Sequence, residues 1–338
     1  MPGRILNKNV GGNTTYARCL ADGLTRRGVT VEALPHFSNP ALTMVSETVA
    51  GMSRRDGDVI HYVADTGPLF QTRLPSVVTV HGVASRWLDG VRSSSQEKIW
   101  RGRVRRAIDC TDALITVSSS SADDIAAVFD ISLGSITVIP HGIDADNFAR
   151  KATLSKKVRD LIPEKYLLYV GNIEPRKNIQ QLVKAMQLAP ARGMGVPLVI
   201  AGKPAWNYDA EMAAIQHDAD VIYLGFVSDT DRVALMQQCA LFVFPSRYEG
   251  FGFPVLEAMA AGAPVLTTHG GALRDVAGPS KILKGYGAES IAYGVEDALT
   301  DDTWRTNVVD RGREWSSAYT WDESVDAHLS IYNALGKK

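Results

Sequence analysis

Short apolar runs alternate with amphipathic segments along most of the chain. Strand-like runs are predicted at 4–7, 29–34, 59–63, 77–80, 114–117 and 136–139, and then at 166–170, 198–201, 221–224, 241–244 and 265–268. Several intervals between them show helical spacing, as in 13–27, where Tyr16, Leu20 and Leu24 recur on one face. Strands that alternate with helices indicate an α/β protein with doubly wound, mainly parallel sheets.

The length of the chain divides this pattern into two domains. At 338 residues it exceeds the size at which a single hydrophobic core stops growing. The polar, lysine-bearing stretch 148–164 is predicted to link the two halves. We therefore predict a first domain at 1–150, a second domain at 151–320 and a C-terminal helix at 321–338.

Composition and charge narrow the class of protein. A hydrophobic fraction of 45% and a net charge of −1 describe an ordinary globular protein and give no reason to expect nucleic acid as a partner. The three cysteines are far apart and lack metal-site spacing, which predicts a reducing cytosol. No apolar run reaches the roughly 18 residues that span a bilayer, so we expect a cytoplasmic protein with at most peripheral contact at the inner membrane face.

The strongest sequence indication of a functional site lies in 241–271. An apolar strand ends at Pro245, a glycine-spaced turn covers 249–253, and Pro254 begins a helix. Glycines before a helix N-terminus form an anion-binding cradle. Two acids, Glu249 and Glu257, bracket this cradle at E-x7-E spacing. The alternative is that Glu249 only caps the helix and Glu257 is an ordinary surface acid.

This segment resembles the E-x7-E signature of retaining glycosyltransferases of family 4. The resemblance implies the GT-B fold, in which two Rossmann-like domains face a cleft and a C-terminal helix crosses back to pack on the first domain. It also implies that the first domain serves the acceptor and the second domain the nucleotide-sugar donor.

A second segment, 171–178, reads GNIEPRKN and lies between a predicted strand and a helix. Two adjacent cations, Arg176 and Lys177, suit a diphosphate and would oppose negative charge on a leaving group. The alternative is that they are surface bases. The resemblance to G-x-x-x-x-R-K-N in family 4 assigns them to the donor phosphates, and the segment looks most like bacterial mannosyltransferases.

Two features of the first half also precede helices or end strands. Gly11 and Gly12 form either a phosphate-approaching loop or a plain tight turn. His81 ends the predicted strand 77–80, where a cleft should open, although an isolated histidine is often structural. Gly82 stands where the family commonly has aspartate. The predicted strand at 4–7 is unusually short, which leaves open a missing N-terminal segment.

The resemblance implies a complete set of site residues. Catalytic roles fall on His81, Arg176, Lys177 and Glu249. Donor-binding roles fall on Gly12, Gly171, Gly202, Val227, Gly250, Phe251, Gly252, Phe253 and Glu257. Glu249 would hold sugar hydroxyls, Glu257 the ribose diol, and the loops at Gly202 and Val227 the base.

The predicted function is metal-independent, cofactor-free transfer of a sugar with retention, from GDP-mannose or a UDP-sugar to a glycan, lipid-linked sugar or small molecule. A metal-dependent glycosyltransferase would instead use one of the D-x-D matches at 56–58 and 144–146. Matches as short as these arise by chance. A sugar-nucleotide epimerase, a phosphorylase and a non-catalytic binding subunit remain alternatives. The basic helix 96–107 could lie on an anionic membrane, but its charges surround the helix and favour a solvated face.

Overall fold

The computed structural model describes residues 1–7, 11–52, 59–88, 93–218 and 220–336. The chain forms two compact units, one from Met1–Gly142 with the segment from Tyr319 onward, the other from Ile143–Ala318. Each unit contains one parallel sheet with helices packed against it, which confirms the predicted α/β class. Among the described residues, no helix combines the length and the apolar character needed to cross a bilayer.

The first unit is built on a four-stranded parallel sheet of order β1-β2-β3-β4. Its strands are β1 (Ile60–Tyr62), β2 (Ser76–Thr79), β3 (Ala113–Thr116) and β4 (Ile136–Val138). Its first helices are α1 (Gly3–Leu6), α2 (Gly12–Arg26), α3 (Pro40–Ala50), α4 (Ser94–Asp109) and α5 (Ser119–Phe129), with 3-10 turns at Ala84–Arg86 and Leu133–Ser135. Most residues of β1 to β3 are buried, and apolar side chains alternate there with a few buried polar ones such as His61 and Thr79.

Two predicted strands of this unit are wrong. Residues 4–7 lie in and just after α1, and 29–34 forms no strand but meets the N-terminus at one isolated bridge between Pro2 and Leu34. Pro2 has no N–H to donate to a longer ladder. A short apolar run buries Ile5 equally well on a helix, so its pattern could not distinguish the two conformations.

The second unit is built on a six-stranded parallel sheet of order β10-β9-β8-β5-β6-β7. Its strands are β5 (Leu167–Val170), β6 (Leu198–Ala201), β7 (Val221–Gly225), β8 (Leu241–Phe244), β9 (Val265–Thr267) and β10 (Lys281–Ile282). Its helices are α6 (Ala145–Ala149), α7 (Lys156–Arg159), α8 (Ile179–Met186), α9 (Ala189–Gly193), α10 (Asp209–Gln216), α11 (Asp229–Gln238), α12 (Phe253–Ala261), α13 (Leu273–Val276), α14 (Ala288–Thr300) and α15 (Asp302–Ser317), with a 3-10 turn at Pro175–Lys177.

The order of these strands reverses between β5 and β8. From β5 the chain moves outward to β6 and β7, and then returns to β8 on the other side of β5. Open α/β sheets bind ligands at the carboxyl ends of strands next to such a reversal. The segments that follow Val170 and Phe244 are therefore where a binding site is expected.

The last helix, α16 (Trp321–Leu335), belongs to the first unit and packs along α2. Gly23 permits close approach, because a Cβ atom there would lie 2.4 Å from Cγ2 of Val325. Arg27, directly after α2, also pairs with Asp322 at 3.0 Å and with Asp326 at 2.5 Å. The predicted return of the C-terminal helix to the first domain is confirmed.

Candidate active site

Three ionised side chains meet beside the strand reversal of the second unit. Oε2 of Glu249 accepts a hydrogen bond from Nη1 of Arg176 at 2.6 Å, and Oε1 accepts from Nζ of Lys177 at 2.6 Å. The hydroxyl of Ser246 also donates to Oε1, at 2.6 Å. Arg176 additionally pairs through Nε with Glu174. We call Arg176, Lys177, Glu249 and Ser246 the ion cluster.

Burial and charge oppose each other at the carboxylate of this cluster. Glu249 is only 6% exposed, and burial alone would raise its pKa, yet the charges of Arg176 and Lys177 lower that pKa to about 2. The same burial, together with the charge of Arg176, lowers the pKa of Lys177 in spite of Glu249. Glu249 is therefore an ionised hydrogen-bond acceptor at neutral pH and has no proton to donate.

Backbone contacts hold the two loops of the ion cluster together. The loop after β5 closes in the 3-10 turn, and Asn178 ends that turn in the left-handed region, at φ +63°. The carbonyl of Arg176 accepts a hydrogen bond from the backbone N–H of Arg247 at 2.8 Å. The Arg247 side chain in turn donates to Oδ1 of Asn178 at 3.1 Å. Contacts within the protein thus fix the two loops to each other.

The predicted glycine turn leads directly into α12, as the sequence indicated. Gly252 precedes the helix at φ +107°, where a Cβ atom would lie 2.9 Å from Leu273 and 3.0 Å from Val276. The rings of Phe251 and Phe253 pack edge to face, with centroids 5.0 Å apart. The helix α12 begins at Phe253, and no side-chain hydrogen bond caps its N-terminus, a kind of helix end that suits anions.

The second acid of the E-x7-E pair is one turn inside α12 and has its own partner. Oε2 of Glu257 accepts from Nη1 of Arg232, on α11, at 2.7 Å. Burial is the main effect on this carboxyl group and raises its pKa. No hydrogen bond joins Glu257 to Glu249 or to the ion cluster among the residues that the structure describes.

The other predicted donor-binding residues of this unit lie after neighbouring strands. A Cβ atom on Gly202 would lie 1.8 Å from the carbonyl oxygen of Gly171, so the loops after β5 and β6 touch through bare backbone. Val227 is half-buried and follows β7. Gly171, Gly202 and Val227 therefore follow three adjacent strands on one side of the ion cluster.

The two predicted residues of the first unit lie at separate places. His81 follows β2, and its Nε2 donates to the carbonyl of Val63 at 2.8 Å, while its backbone N–H donates to Asp65 at 2.8 Å. Gly12 is the exposed first residue of α2. No direct contact joins Gly12 to His81 among the described residues, but Tyr16, one turn further along α2, packs against the His81 ring at 5.1 Å.

The rival motifs have ordinary structural explanations where the structure describes them. Asp144 of the second D-x-D match accepts from the backbone N–H of Asn147 at 3.1 Å and caps α6. The first match, 56–58, lies outside the described residues. Two arginines of the basic helix α4 form pairs within that helix, Arg101 with Glu97 and Arg105 with Asp109.

Sequence reasoning placed the start of the site near Ser246, two residues after a buried strand, but assigned that side chain no role. No sequence pattern pointed to Arg232 as a site residue. Its partner Glu257 lies on the next helix, and the pairing depends on how α11 and α12 pack.

The two units correspond to two known families of sequence. Residues 36–147 match the family described as Glycosyltransferase Family 4, and residues 151–315 match Glycosyl transferases group 1. Glycogen synthase of Mycobacterium tuberculosis is 32% identical over 76% of this chain and 67% of its own length. The chain belongs to the family 4 glycosyltransferases. It is accordingly a hexosyltransferase, and its two parallel-sheet units are those of the GT-B fold.

Other similar proteins carry more specific names. This glycosyltransferase is 28% identical to O-antigen chain mannosyltransferase B of Escherichia coli, over 77% of this chain and 70% of that protein. It is 30% identical to the serotype-specific mannosyltransferase WbdA of Escherichia coli over 65% of this chain, but spans only 28% of that protein's length. Sucrose-phosphate synthase of Thermosynechococcus elongatus has a similar fold, with a TM-score of 0.77 at 19% identity over 99% of this chain and 97% of the other.

Proposed function

We propose that the protein transfers a mannosyl or similar hexosyl group, with retention, from a nucleoside diphosphate sugar to an acceptor hydroxyl in glycan or glycoconjugate synthesis. The observation that carries the proposal is the ion cluster, which holds two cations beside the N-terminus of α12 and the strand reversal. Positive groups fixed there suit a departing diphosphate. The names of the bacterial mannosyltransferase relatives favour GDP-mannose as the donor over a UDP-sugar.

Arg176 has the geometry to bind the diphosphate without leaving the ion cluster. Its Nε and Nη1 are engaged by Glu174, Glu249 and the carbonyl of Tyr248, whereas no described residue accepts from Nη2. Its side chain keeps 24% of its exposure. Nη2 can therefore donate to a phosphate oxygen while the paired nitrogens hold the guanidinium in place.

Glu249 would orient the donor sugar as an acceptor of hydrogen bonds. An ionised carboxylate offers about four lone-pair sites, and the ion cluster fills three of them. One site remains for a sugar hydroxyl. Because its pKa is about 2, Glu249 is unsuited to protonate the leaving group, which leaves charge stabilisation by Arg176, Lys177 and the helix end as the main catalytic effect.

The remaining assignments follow the same logic. Oε1 of Glu257 has no partner among the described residues, since Arg232 binds Oε2, and it would accept from the ribose diol. The bare backbone at Gly171 and Gly202 and the segment at Val227 would bind the base, and the turn at 250–253 the diphosphate. In the first unit, His81 and Gly12 would contact the sugar and the acceptor. We further propose that no metal ion takes part.

The first experiment identifies the donor and then tests the ion cluster. Thermal shifts with GDP-, UDP-, ADP- and dTDP-sugars select the donor, and NMR of the product reports the anomeric configuration. We expect Arg176→Ala and Lys177→Ala each to lower turnover by at least about tenfold. Lys156→Ala is the control and should retain turnover, because the Lys156 side chain is 85% exposed and pairs with Asp160 at the surface.

Three outcomes would each contradict part of the proposal. Full activity in both ion-cluster variants would remove the catalytic role of the cations, and an inverted anomeric centre would exclude retention. Loss of activity in a chelator, restored by a divalent cation, would contradict the metal-independent mechanism.

A further inference from the structure

Four buried polar side chains and one partly buried tyrosine form a continuous hydrogen-bonded series in the first unit. They come from four elements: Tyr332 and His328 on α16, His61 on β1, Thr79 on β2 and Tyr16 on α2. We call them the polar chain. Tyr332 Oη is 2.6 Å from Nδ1 of His61, and Nε2 of His61 is 2.7 Å from Oγ1 of Thr79. Oγ1 is 3.0 Å from Oη of Tyr16, which is 2.8 Å from Nε2 of His328.

One backbone carbonyl sets the direction of every hydrogen bond in the polar chain. Nδ1 of His328 is 2.6 Å from the carbonyl oxygen of Ser324, which can only accept, so Nδ1 carries the proton. In the neutral ring Nε2 is then an acceptor, and Tyr16 must donate to it. By the same logic Thr79 donates to Tyr16, His61 donates through Nε2 to Thr79, and Tyr332 donates to Nδ1 of His61.

In the polar chain, every hydrogen bond therefore has one donor and one acceptor, and no donor is left over. Its two histidines are held as opposite tautomers, Nδ1–H in His328 and Nε2–H in His61. Both histidines are almost fully buried, so a lost partner would leave a buried polar group unsatisfied, which is unfavourable. Any substitution that removes one hydroxyl is expected to loosen its neighbours in the series.

His81 lies directly against this series. The ring of Tyr16 meets the ring of His81 edge to face, with centroids 5.1 Å apart and planes at 79°. Thr79 stands two residues before His81 at the end of β2. Because Nε2 of His81 donates to the carbonyl of Val63, Nδ1 keeps its lone pair in the neutral ring, and no described residue donates to it.

We propose that Tyr16, Thr79 and His328 are positioning residues for His81. The polar chain fixes the Tyr16 ring, and Tyr16 keeps the His81 imidazole oriented so that Nδ1 can accept a hydrogen bond from a sugar hydroxyl. The C-terminal helix supplies His328 and therefore contributes a positioning residue to the first unit's site. This inference rests on the proposed role of His81 in sugar transfer.

The decisive comparison is Thr79→Val against Thr79→Ser. Valine keeps the shape of threonine but interrupts the polar chain, whereas serine keeps the hydroxyl. We expect Thr79→Val to lower kcat about tenfold with little change in the KM for the donor, and Thr79→Ser to retain kcat. Histidine side-chain NMR of the ligand-free protein should show His81 as the Nε2–H tautomer in Thr79→Ser and a mixture of tautomers in Thr79→Val.

A second pair keeps the test open if Thr79→Val does not fold. Tyr16→Phe removes one hydroxyl of the polar chain, and Tyr62→Phe removes an equally buried hydroxyl that donates to the carbonyl of Glu47 at 3.0 Å outside it. We expect Tyr16→Phe alone to lower kcat and shift the His81 resonances. Unchanged His81 resonances and kcat in Tyr16→Phe or Thr79→Val would overturn the inference. Absence of any transferase activity would instead refute the proposed function, because the NMR comparison needs no substrate.

Discussion

The ion cluster of the second unit and the polar chain of the first unit bury polar side chains by opposite means. The ion cluster keeps full charges in place, since Arg176 and Lys177 both bind one carboxylate. The polar chain contains no charge and relies on the tautomers of His61 and His328 to satisfy every donor. Charge is thus concentrated where a diphosphate is proposed to bind, and a neutral network is used where a helix docks.

The two arrangements should fail differently. Removing one partner of the ion cluster leaves an uncompensated charge in a buried place, which is among the most costly changes in a protein. Removing one hydroxyl of the polar chain leaves a neutral unsatisfied group and costs less. The comparison therefore predicts an order of effects that mutation and pH can test.

The largest effect is expected from Glu249→Ala. The buried Lys177 and the partly buried Arg176 would lose their shared carboxylate, and the free energy of unfolding should fall by about 3–5 kcal/mol, together with a loss of turnover of at least about a hundredfold. Glu249→Gln should cost less in stability, because its amide oxygen can still accept from Lys177 or Arg176. Urea unfolding and turnover of the two variants measure both effects.

Glu314→Ala is the matched control, because it removes an exposed carboxylate from α15 in the same unit. Its free energy of unfolding should stay within about 0.5 kcal/mol of the wild type. Equal stability of Glu249→Ala and Glu314→Ala would show that the ion cluster is not held by charge.

Acid should weaken the polar chain before it affects the ion cluster. Burial is the main reason that the pKa of His328 falls to about 4, and burial also holds the pKa of His61 well below 6.5. Below pH 6.5 the unfolded chain binds protons that the folded chain does not, so the free energy of unfolding decreases as pH falls. From pH 6.5 to about 4 His328 alone should account for up to about 3 kcal/mol. The stabilisation from Glu249, whose pKa is about 2, is lost only at more acidic pH.

Urea unfolding at several pH values between 7 and 4.5 tests this window. His328→Gln removes the titrating ring and should flatten the dependence, whereas Tyr62→Phe should keep the wild-type slope. An identical slope in His328→Gln would show that other groups cause the acid sensitivity. A protonated His328 ring would place its positive charge near other polar groups of the same unit, namely His61, His81, Tyr16 and Tyr332.

The strands that the sequence predicted well are those buried on both faces. The central strands β5, β6 and β8 are continuous apolar runs, which have few other interpretations in a parallel sheet. The N-terminal segments were misjudged because their conformation depends on backbone contacts of residues 1–3 with Glu32 and Leu34, far along the chain. The two-residue edge strand β10 was not predicted either, since Lys281 and Ile282 show no periodicity.

The candidate site shows the same limit. Arg176, Lys177 and Glu249 were each predicted from their own segments, as residues after a strand or within a glycine turn. Their mutual ion pairs depend on β5 lying next to β8, which no local pattern indicates. The polar chain was not predicted at all, because its five members come from four elements and share no spacing. The roles of Arg176, Lys177 and Glu249 in donor binding and catalysis remain predictions.

The smallest effect separates packing from polar contacts in the docking of α16. Gly23→Ala would place a Cβ atom 2.4 Å from Cγ2 of Val325, a buried, β-branched side chain that cannot easily turn away. Such overpacking costs about 1–3 kcal/mol, while alanine in a helix recovers up to about 1 kcal/mol relative to glycine. We therefore expect a net loss of about 1 kcal/mol in the free energy of unfolding, although the substitution removes no donor or acceptor of the polar chain. Gly102→Ala, on an exposed face of α4 where nothing lies within 4 Å of the new Cβ atom, should instead stabilise the protein. If both alanines stabilise the protein equally, α16 does not pack tightly on α2, and the polar chain would have to hold the helix without that contact.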